Sequence, residues 1–442
     1  MKQLVVWMNG EKVATWEAGR THKLTYEDSW ARSPKARSLS LSLPLGAQEI
    51  QGDPVRNYFD NLLPDNERIR ERLKRRYQTE STEVADLLEA IGRDCVGAVQ
   101  LLPPGMEPKG WNRIEAEPLQ AHQVASIIDG VTAEGAAQQE DEDQHFRISI
   151  AGAQEKTALL LWRGQWCRPL GATPTSHIVK LPLGLIGGSR RVDAKDSVDN
   201  EWLCSRILSA LGLPVARADI VTFEHHRVLV VERFDREWMD NGRWMARLPQ
   251  EDLCQALGLP PSMKYESDKG PGLLKCLEVL RASSNPMDAS YFLLTQLAFW
   301  LLAATDGHAK NFSLFLNQGD AIELTPIYDV ISMWPYFGNA PSQFNRRRAG
   351  LAMGLKSKSK HHLFHTIVAR HWHGIAKSNG GNVLWERMQA MVQAVPQALD
   401  RVEAALPEDF PQRTWSRISK GMREHANTFT AGLVDVTGQA VG

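Results

Sequence analysis

The chain has few cysteines and almost no net charge, and both features limit what it can be. Its five cysteines are scattered through 442 residues and include no CxxC pair, so we expect reduced, buried thiols in a cytoplasmic protein. The formal net charge is −1, so no overall electrostatic field attracts nucleic acid or acidic membranes. Any contact with DNA must therefore come from a local basic patch.

The chain also lacks long apolar runs, repeats and low-complexity segments. No run reaches the length of a transmembrane helix, and the first ten residues, MKQLVVWMNG, lack the hydrophobic region of a signal peptide. These features predict no membrane association. With 442 residues, 43% of them hydrophobic, the chain is long enough for two or three domains with substantial cores.

The most informative stretch is residues 301–329, LLAATDGHAKNFSLFLNQGDAIELTPIYD. Asp306 follows an apolar run that predicts a buried helix, and Asn311 lies five residues later, which is the spacing of the kinase catalytic loop. Asp329 follows a polar break and can return beside them on a hairpin. Phosphoryl transfer needs a carboxylate that orients the acceptor hydroxyl and oxygen ligands for Mg²⁺, roles that suit Asp306 and the pair Asn311 and Asp329 respectively. A helix cap followed by an unrelated turn is the alternative, and this stretch alone does not decide.

A strand, small-residue loop, strand pattern covers residues 146–162, with Ala151-Gly152-Ala153 at the turn. Small residues let successive backbone N–H groups approach phosphate oxygens. The loop is not a Walker A motif, and a plain hairpin is the alternative. Downstream, Lys180 ends an apolar strand, as the phosphate-binding lysine of kinases does. Glu201, on a predicted helix over 196–211, is its candidate partner, and a lysine reaching solvent is the alternative.

Other local patterns predict the surrounding elements. Asn9-Gly10 between two apolar runs predicts a hairpin with a type I′ turn. The alternation of leucines over 39–45 predicts a half-buried strand. Two strands at 220–223 and 228–232 lead to a linker whose backbone, at Glu232 and Phe234, suits adenine binding. The rest reads as mostly helical, with helices predicted at 250–257, 273–280, 291–304 and 383–402.

Taken together, these residues resemble the HipA family of bacterial serine/threonine kinase toxins along nearly the whole chain. The matching segments, in order, are 59–65, FDNLLPD; 92–98, GRDCVGA; 149–156, SIAGAQEK; 175–180, TSHIVK; 231–235, VERFD; 248–252, LPQED; 264–266, KYE; 305–312, TDGHAKNF; and 326–329, PIYD. Each segment is modest, but their number and order make the match specific.

The resemblance implies a role for each matching residue. It implies Asp306 as the catalytic aspartate, Asn311 and Asp329 as the metal-holding pair for Mg²⁺, and Lys180 as the lysine on the ATP phosphates. It further implies a phosphate loop of Ala151, Gly152, Ala153, Gln154, Glu155 and Lys156, an adenine-binding linker of Glu232, Arg233 and Phe234, and the flanking residues His308, Ala309, Lys310 and Tyr328.

Ser149 matches the serine that members of this family autophosphorylate, a modification that displaces the phosphate loop and switches the kinase off. A phosphoserine adds about −1.5 to −2 charges at pH 7, which would repel the γ-phosphate of ATP. From the residues alone, an ordinary strand serine is the simpler interpretation.

The resemblance also implies partners and a biological role. Its expected substrate is glutamyl-tRNA synthetase, whose phosphorylation leads to uncharged tRNA, growth arrest and persistence. Its expected partner is HipB, a helix-turn-helix antitoxin, and the complex represses its own operon by binding operator DNA. Basic residues between 346 and 377, including Arg346-Arg347-Arg348 and Lys356, Lys358 and Lys360, are candidate DNA contacts, and a solvated basic face is the alternative. His361 and His365 would share a helix face, but no accompanying ligand pattern favours zinc.

We therefore predict an α+β, bilobal protein-kinase-like fold with an extra N-terminal α/β subdomain and an all-α C-lobe. The predicted divisions are residues 1–105, 106–235 with the phosphate loop and linker, and 236–442, and the acidic run at 138–143 is an expected exposed loop. Two alternatives stay open: a kinase for a small molecule, and a non-catalytic co-repressor. The full set of Lys180, Asp306, Asn311 and Asp329 argues against the second.

Overall fold

The computed structural model describes residues 2–47, 49–132, 149, 154–356 and 360–434, with backbone alone for Lys356 and Lys360. The expected acidic loop at 138–143 lies outside these residues. The chain forms two compact units: unit 1 is Met1–Leu181, Val221–Lys264 and Ser313–Thr325, and unit 2 is Pro182–Ile220, Tyr265–Phe312 and Pro326–Gly442. The division into three domains stays a prediction.

The strands, in chain order, are β1 Lys2–Met8, β2 Glu11–Ala18, β3 Lys23–Tyr26, β4 Glu49–Gln51, β5 Val99–Leu102, β6 Ala116–Pro118, β7 Lys156–Trp162, β8 Gln165–Pro169, β9 His177–Lys180, β10 Leu185–Ile186, β11 Val192–Asp193, β12 Ala218–Phe223, β13 His226–Glu232, β14 Arg236–Met239, β15 Trp244–Arg247, β16 Gln250–Asp252, β17 Ser313–Leu316, β18 Ile322–Leu324, β19 Gly350–Lys356 and β20 Lys360–Leu363.

The α-helices are α1 Asp28–Ala31, α2 Asp53–Asp60, α3 Glu67–Tyr77, α4 Val84–Ile91, α5 Ala121–Thr132, α6 Ser197–Ala210, α7 Leu253–Ala256, α8 Leu273–Leu280, α9 Asp288–Leu302, α10 Ala369–Asn379, α11 Gly381–Glu403 and α12 Gln412–Ala431. Within the described part of the chain, none of these helices is long and apolar enough to cross a membrane.

Unit 1 begins with a five-stranded sheet in the order β4-β3-β2-β1-β5. The predicted hairpin is confirmed: β1 pairs antiparallel with β2, and both turn residues have positive φ, 45° at Asn9 and 82° at Gly10, as a type I′ turn requires. Trp16 on β2 is fully buried and stacks on Phe59 of α2, with ring centroids 4.0 Å apart. This contact packs α2 against one face of the sheet.

The predicted strand over 39–45 is wrong. Only an isolated bridge joins Ser40 to Leu43, and the buried leucines are Leu39 and Leu43, four residues apart. The hydroxyl of Tyr26 accepts a hydrogen bond from the Leu39 N–H and donates one to the Leu43 carbonyl. A buried side chain therefore satisfies the backbone groups that a neighbouring strand would have satisfied.

The second sheet of unit 1 has six strands in the order β12-β13-β9-β7-β8-β6. Its central strand β9 pairs antiparallel with both β7 and β13, so the predicted strands around Lys180 are confirmed. Val179, Val228 and Val230 from this sheet pack with Val124 and Ile128 of α5 in one apolar cluster. The sheet thereby places Lys180 opposite Lys156, the last residue of the predicted phosphate loop.

Unit 2 is mainly helical. The predicted helices at 273–280, 291–304 and 383–402 correspond to α8, α9 and α11. Helix α9 is apolar on all sides and buried along most of its length, as expected for a helix inside a large domain. The α+β class is confirmed, but residues 236–442 are not exclusively helical. Strands β14 to β18 return to unit 1, β19 and β20 form a hairpin in unit 2, and residues 250–252 are a strand rather than part of a helix.

Candidate active site

In unit 2, the turn that follows α9 presents Asp306. Ala303, directly after the helix, has a left-handed φ of 51°, and the chain then runs to a 3₁₀ turn at Ala309–Asn311. The Asp306 side chain is 59% exposed. Its backbone carbonyl accepts a hydrogen bond from the Asn311 side-chain Nδ2 (2.7 Å) and one from the His308 N–H (2.8 Å). Asp306 is not a helix cap. The five-residue spacing lets the Asn311 side chain reach the backbone carbonyl of Asp306.

Tyr265 contacts the same carboxylate, and sequence reasoning did not assign it to the site. Its hydroxyl donates to Asp306 Oδ1, and its ring meets the His308 ring edge to face with centroids 4.8 Å apart. His308 Nε2 lies 3.8 Å from the same oxygen. The only signal in the sequence was the short segment KYE at 264–266, which carries no chemistry by itself. Tyr265 and His308 together restrict the orientation of the Asp306 carboxylate.

Asp329 lies on a segment that is tied back to the Lys310 region. The Tyr328 hydroxyl donates to the Lys310 carbonyl (2.9 Å), so these two parts of the predicted site meet, as the hairpin argument required. Ile327 forms a parallel bridge with Val215, which holds the segment from the other side. Asp329 itself has a φ of 59°, and such left-handed conformations of residues other than glycine cluster at functional sites.

The donor set at this turn suits Mg²⁺. The Asn311 amide nitrogen is used by the Asp306 carbonyl, which leaves the amide oxygen as the atom for a cation. Asp329 adds a carboxylate, and Mg²⁺ prefers such oxygen ligands. Lys310 and Ala309, which the resemblance placed beside the site, are buried in the same turn. Asn311 and Asp329 thus carry oxygen atoms of the kind that Mg²⁺ binds, and their metal-holding role stays a prediction.

In unit 1, Lys180 is 6% exposed at the end of β9. Lys156 of β7 is its direct cross-strand partner, so the two lysines lie on the same face of the sheet. The role of Lys180 on the ATP phosphates stays a prediction. The pairing of Lys180 with Glu201 stays a prediction.

The second half of the predicted phosphate loop supports the sheet. Gln154 Nε2 donates to the Leu181 carbonyl (2.5 Å), and the Leu181 N–H donates to the Glu155 carbonyl (3.1 Å). Both oxygens of the Glu155 carboxylate accept hydrogen bonds from Nη2 of Arg72 on α3. These two side chains thus bind protein groups, so any contact of Gln154 and Glu155 with phosphate would come from their backbone N–H groups. Ala151, Gly152 and Ala153 lie outside the described residues.

Ser149 is completely buried. Its hydroxyl donates to the Leu62 carbonyl (2.7 Å), and its N–H donates to the Asp94 carbonyl (3.2 Å). In this position the hydroxyl is not accessible to a kinase active site. Ser149 must therefore leave its place before it can be phosphorylated.

The predicted adenine linker has one side chain turned inwards. Glu232 is exposed, whereas Arg233 is 4% exposed and donates to Asp235, to Asp94, to the Thr175 hydroxyl and to the Cys95 carbonyl. The Phe234 ring meets Phe315 edge to face, with centroids 5.9 Å apart. The Arg233 side chain is therefore structural, and only the backbone of this linker stays a candidate for contact with adenine.

Asp94 is the centre of the buried network that holds this linker. It also accepts hydrogen bonds from Thr175, from Arg236 (3.0 Å) and from Arg247 (3.0 Å). Burial opposes its ionisation, but the charges of Arg236, Arg247 and Arg233 outweigh burial and hold the pKa of Asp94 well below its ordinary value. The carboxylate is therefore ionised throughout the physiological range.

Two family models match the chain. Residues 148–405 match the HipA-like C-terminal domain and residues 4–102 match the HipA N-terminal domain. The prediction of the family from the sequence motifs is therefore confirmed.

Two relatives and one solved structure illustrate the similarity. The protein named "Putative kinase Y4mE" of Sinorhizobium fredii is 33% identical over 360 residues, which cover 78% of this chain and 81% of that protein. The serine/threonine-protein kinase toxin HipA of Shewanella oneidensis is 28% identical over 406 residues, which cover 88% and 85% respectively. The Shewanella oneidensis MR-1 structure of HipA with HipB and its operator DNA has a TM-score of 0.79 at 24% identity and covers 99% of this chain and 100% of that one. This structural likeness establishes the fold.

Proposed function

The chain belongs to the HipA family, and from this premise we propose that it is an ATP-dependent serine/threonine protein kinase and the toxin of a toxin–antitoxin pair. The observation that carries the proposal is the turn after α9. An exposed aspartate there is held by the side chain of an asparagine five residues later and by a tyrosine hydroxyl. A binding module has no need of a carboxylate oriented in this way.

Each residue has a stated task in the proposed reaction. Asp306 orients the acceptor serine hydroxyl and accepts its proton as the γ-phosphoryl group moves from ATP to the serine oxygen and ADP leaves. Asn311 and Asp329 would hold Mg²⁺ through oxygen atoms, and Lys180 and Lys156 would offset phosphate charge. When bound, Mg²⁺–ATP supplies the transferred group and the positive charge that stabilises it.

We also propose that autophosphorylation of Ser149 switches the kinase off. The buried hydroxyl now donates to the Leu62 carbonyl. A phosphate in its place would present acceptor oxygens to that carbonyl, and two acceptors repel each other. The charge of about −1.5 to −2 also could not be buried there without a partner. The modified serine therefore could not return to its place, and the loop beside it would stay displaced.

The proposed partners are a HipB-type antitoxin and, through that complex, operator DNA. The support is the fold likeness to HipA in its complex with HipB and operator DNA. Arg346 is already committed to Glu424 (2.8 Å) and to the face of Trp334, which leaves Arg347 and Arg348, both exposed, as the better candidates for phosphate contacts. Lys358 and the side chains of Lys356 and Lys360 lie outside the described residues. We propose glutamyl-tRNA synthetase as the protein substrate, with growth arrest and persistence as the result.

The deciding experiment is intact-mass spectrometry of dephosphorylated protein incubated with Mg²⁺–ATP. Asp306→Gln removes the proposed proton acceptor. Asp400→Asn is the matched control, because Asp400 is 67% exposed on α11 and makes only a surface ion pair with Arg423. We expect one phosphate on Ser149 in wild type and in Asp400→Asn, and none in Asp306→Gln.

A phosphorylated Asp306→Gln protein would refute the role of Asp306. No phosphate on the wild type, together with no transfer to glutamyl-tRNA synthetase, would refute the kinase proposal and favour a co-repressor. Transfer to the synthetase without modification of Ser149 would refute only the self-inactivation step.

A further inference from the structure

Three potential metal ligands converge at the β12–β13 turn in unit 1. They are His225 and His226 of the turn and Asp129 of α5, and one ligand atom from each lies within 4.8 Å of the other two. His226 Nε2 is 2.8 Å from Asp129 Oδ1, and the two imidazole rings have centroids 4.0 Å apart. None of these residues belongs to the proposed kinase site.

The two neighbouring histidine rings lie on the same side of the chain, which a regular strand would not allow. Consecutive residues of a strand point to opposite faces, so adjacent histidines ordinarily diverge. Here Glu224 has a φ of 53°, and the tight turn after it brings both rings to one side. On the other side, Val124 and Ile128 anchor α5 in the apolar cluster of the sheet, and Asp129 directly follows Ile128. Packing of the helix therefore fixes the carboxylate opposite the turn.

We propose that Asp129, His225 and His226 form a Zn²⁺ site. Two imidazoles and one carboxylate are a common ligand set for zinc, and a water molecule completes four-coordination when the protein supplies three ligands. The Asp129 and His226 side chains are 59% and 20% exposed, so a cation can enter from solvent. A simple His226–Asp129 hydrogen bond would not require His225, and the position of this second imidazole distinguishes a ligand set from an ion pair.

Bound zinc would join α5 to the β12–β13 turn, two segments that are distant in sequence and are held together by apolar packing and the His226–Asp129 contact. A ligand that binds only the folded state stabilises it, so zinc should raise the melting temperature. This stabilisation does not depend on phosphoryl transfer. The zinc site can therefore be tested independently of the proposed kinase activity.

The test is a zinc titration of the full chain after dialysis against a chelator, with a chromophoric zinc chelator as competitor. The double variant His225→Gln/His226→Gln removes both imidazoles. The control His122→Gln/His365→Gln removes two exposed imidazoles, one of them on the same helix α5. We expect wild type and control to bind one Zn²⁺ more than the double variant, with a zinc-dependent rise in melting temperature that the double variant lacks.

Asp129→Asn provides a second, milder variant, because its side chain is exposed and the substitution keeps its size. We expect it to weaken zinc binding at least tenfold while circular dichroism without zinc stays unchanged. Equal zinc stoichiometry and affinity in wild type, double variant and Asp129→Asn would overturn the proposal, and so would loss of the site in the control alone.

Discussion

Replacement of Asp94 by Asn is the sharpest test of how unit 1 holds the candidate linker. Asp94 is 6% exposed and accepts hydrogen bonds from Thr175 and from three arginines, Arg233, Arg236 and Arg247. The substitution removes the negative charge at position 94 and keeps the shape of the side chain. Burial and the charge of Arg233 already lower the pKa of Arg236 to about 10. Keeping Arg236 charged in this cluster is therefore unfavourable even with Asp94 present.

The expected loss follows from the geometry. Removing one partner of a buried ion pair leaves uncompensated charge and costs about 3–5 kcal/mol. In a domain of about 150–250 residues, each kcal/mol shifts the melting temperature by roughly 2–4 °C. Asp94→Asn should therefore lower the melting temperature by roughly 6–20 °C. Glu117→Gln is the control, because its exposed pair with Arg168 (3.3 Å) is worth at most about 1 kcal/mol.

The pH dependence has a definite sign. The pKa of Asp94 is lower in the folded protein than in the unfolded chain, where it is about 3.9. Its contribution is therefore complete above the unfolded value and is lost as the pH falls below it. Differential scanning calorimetry should show a constant gap between wild type and Asp94→Asn from pH 8 to pH 5, and a smaller gap below about pH 4. A gap no larger than that of Glu117→Gln, or one that grows in acid, would refute this reasoning.

Two further predictions concern the catalytic carboxylate and a buried acid. Tyr265→Phe removes the hydrogen bond to Asp306, worth about 1.5–3 kcal/mol for a charged acceptor, so steady-state kinetics should show kcat lowered about ten- to hundredfold with the KM for ATP unchanged; an unchanged kcat would remove Tyr265 from the site. Burial raises the pKa of Glu251 to about 8, so the folded protein loses stability as the pH rises from about 4.5 to 8. Glu251→Gln keeps an acceptor for the Leu41 N–H and should raise the melting temperature more at pH 8 than at pH 5, and an equal effect at both would contradict the assigned protonation.

Elements with local causes were predictable from the sequence. The Asn9-Gly10 turn follows from the left-handed preference of its two residues, and α9 follows from an apolar run too long for a strand. The Asp306–Asn311 spacing was readable for the same reason, since one side chain bonds the backbone of the other within a single turn.

Features with distant causes were not predictable. The leucines at 39–45 alternate like a strand, yet the Tyr26 hydroxyl satisfies their backbone groups and leaves a loop. The resemblance places Arg233 in an adenine-binding linker, but its guanidinium is buried and donates to Asp94, far away in sequence. Tyr265 offers no motif of its own and matters only because the fold brings its hydroxyl to Asp306.

The sequence by itself determined the family, the α+β class and the chemical types present in the candidate site, because these depend on short segments and their order. Tertiary structure alone decided which side chains bind protein groups, as Gln154, Glu155 and Arg233 do. It also decided that the buried Ser149 hydroxyl donates to the Leu62 carbonyl and that Asp129 lies close to His225 and His226. The physical reason is that burial and charge pairing depend on neighbours in space, and residues distant in the chain supply those neighbours.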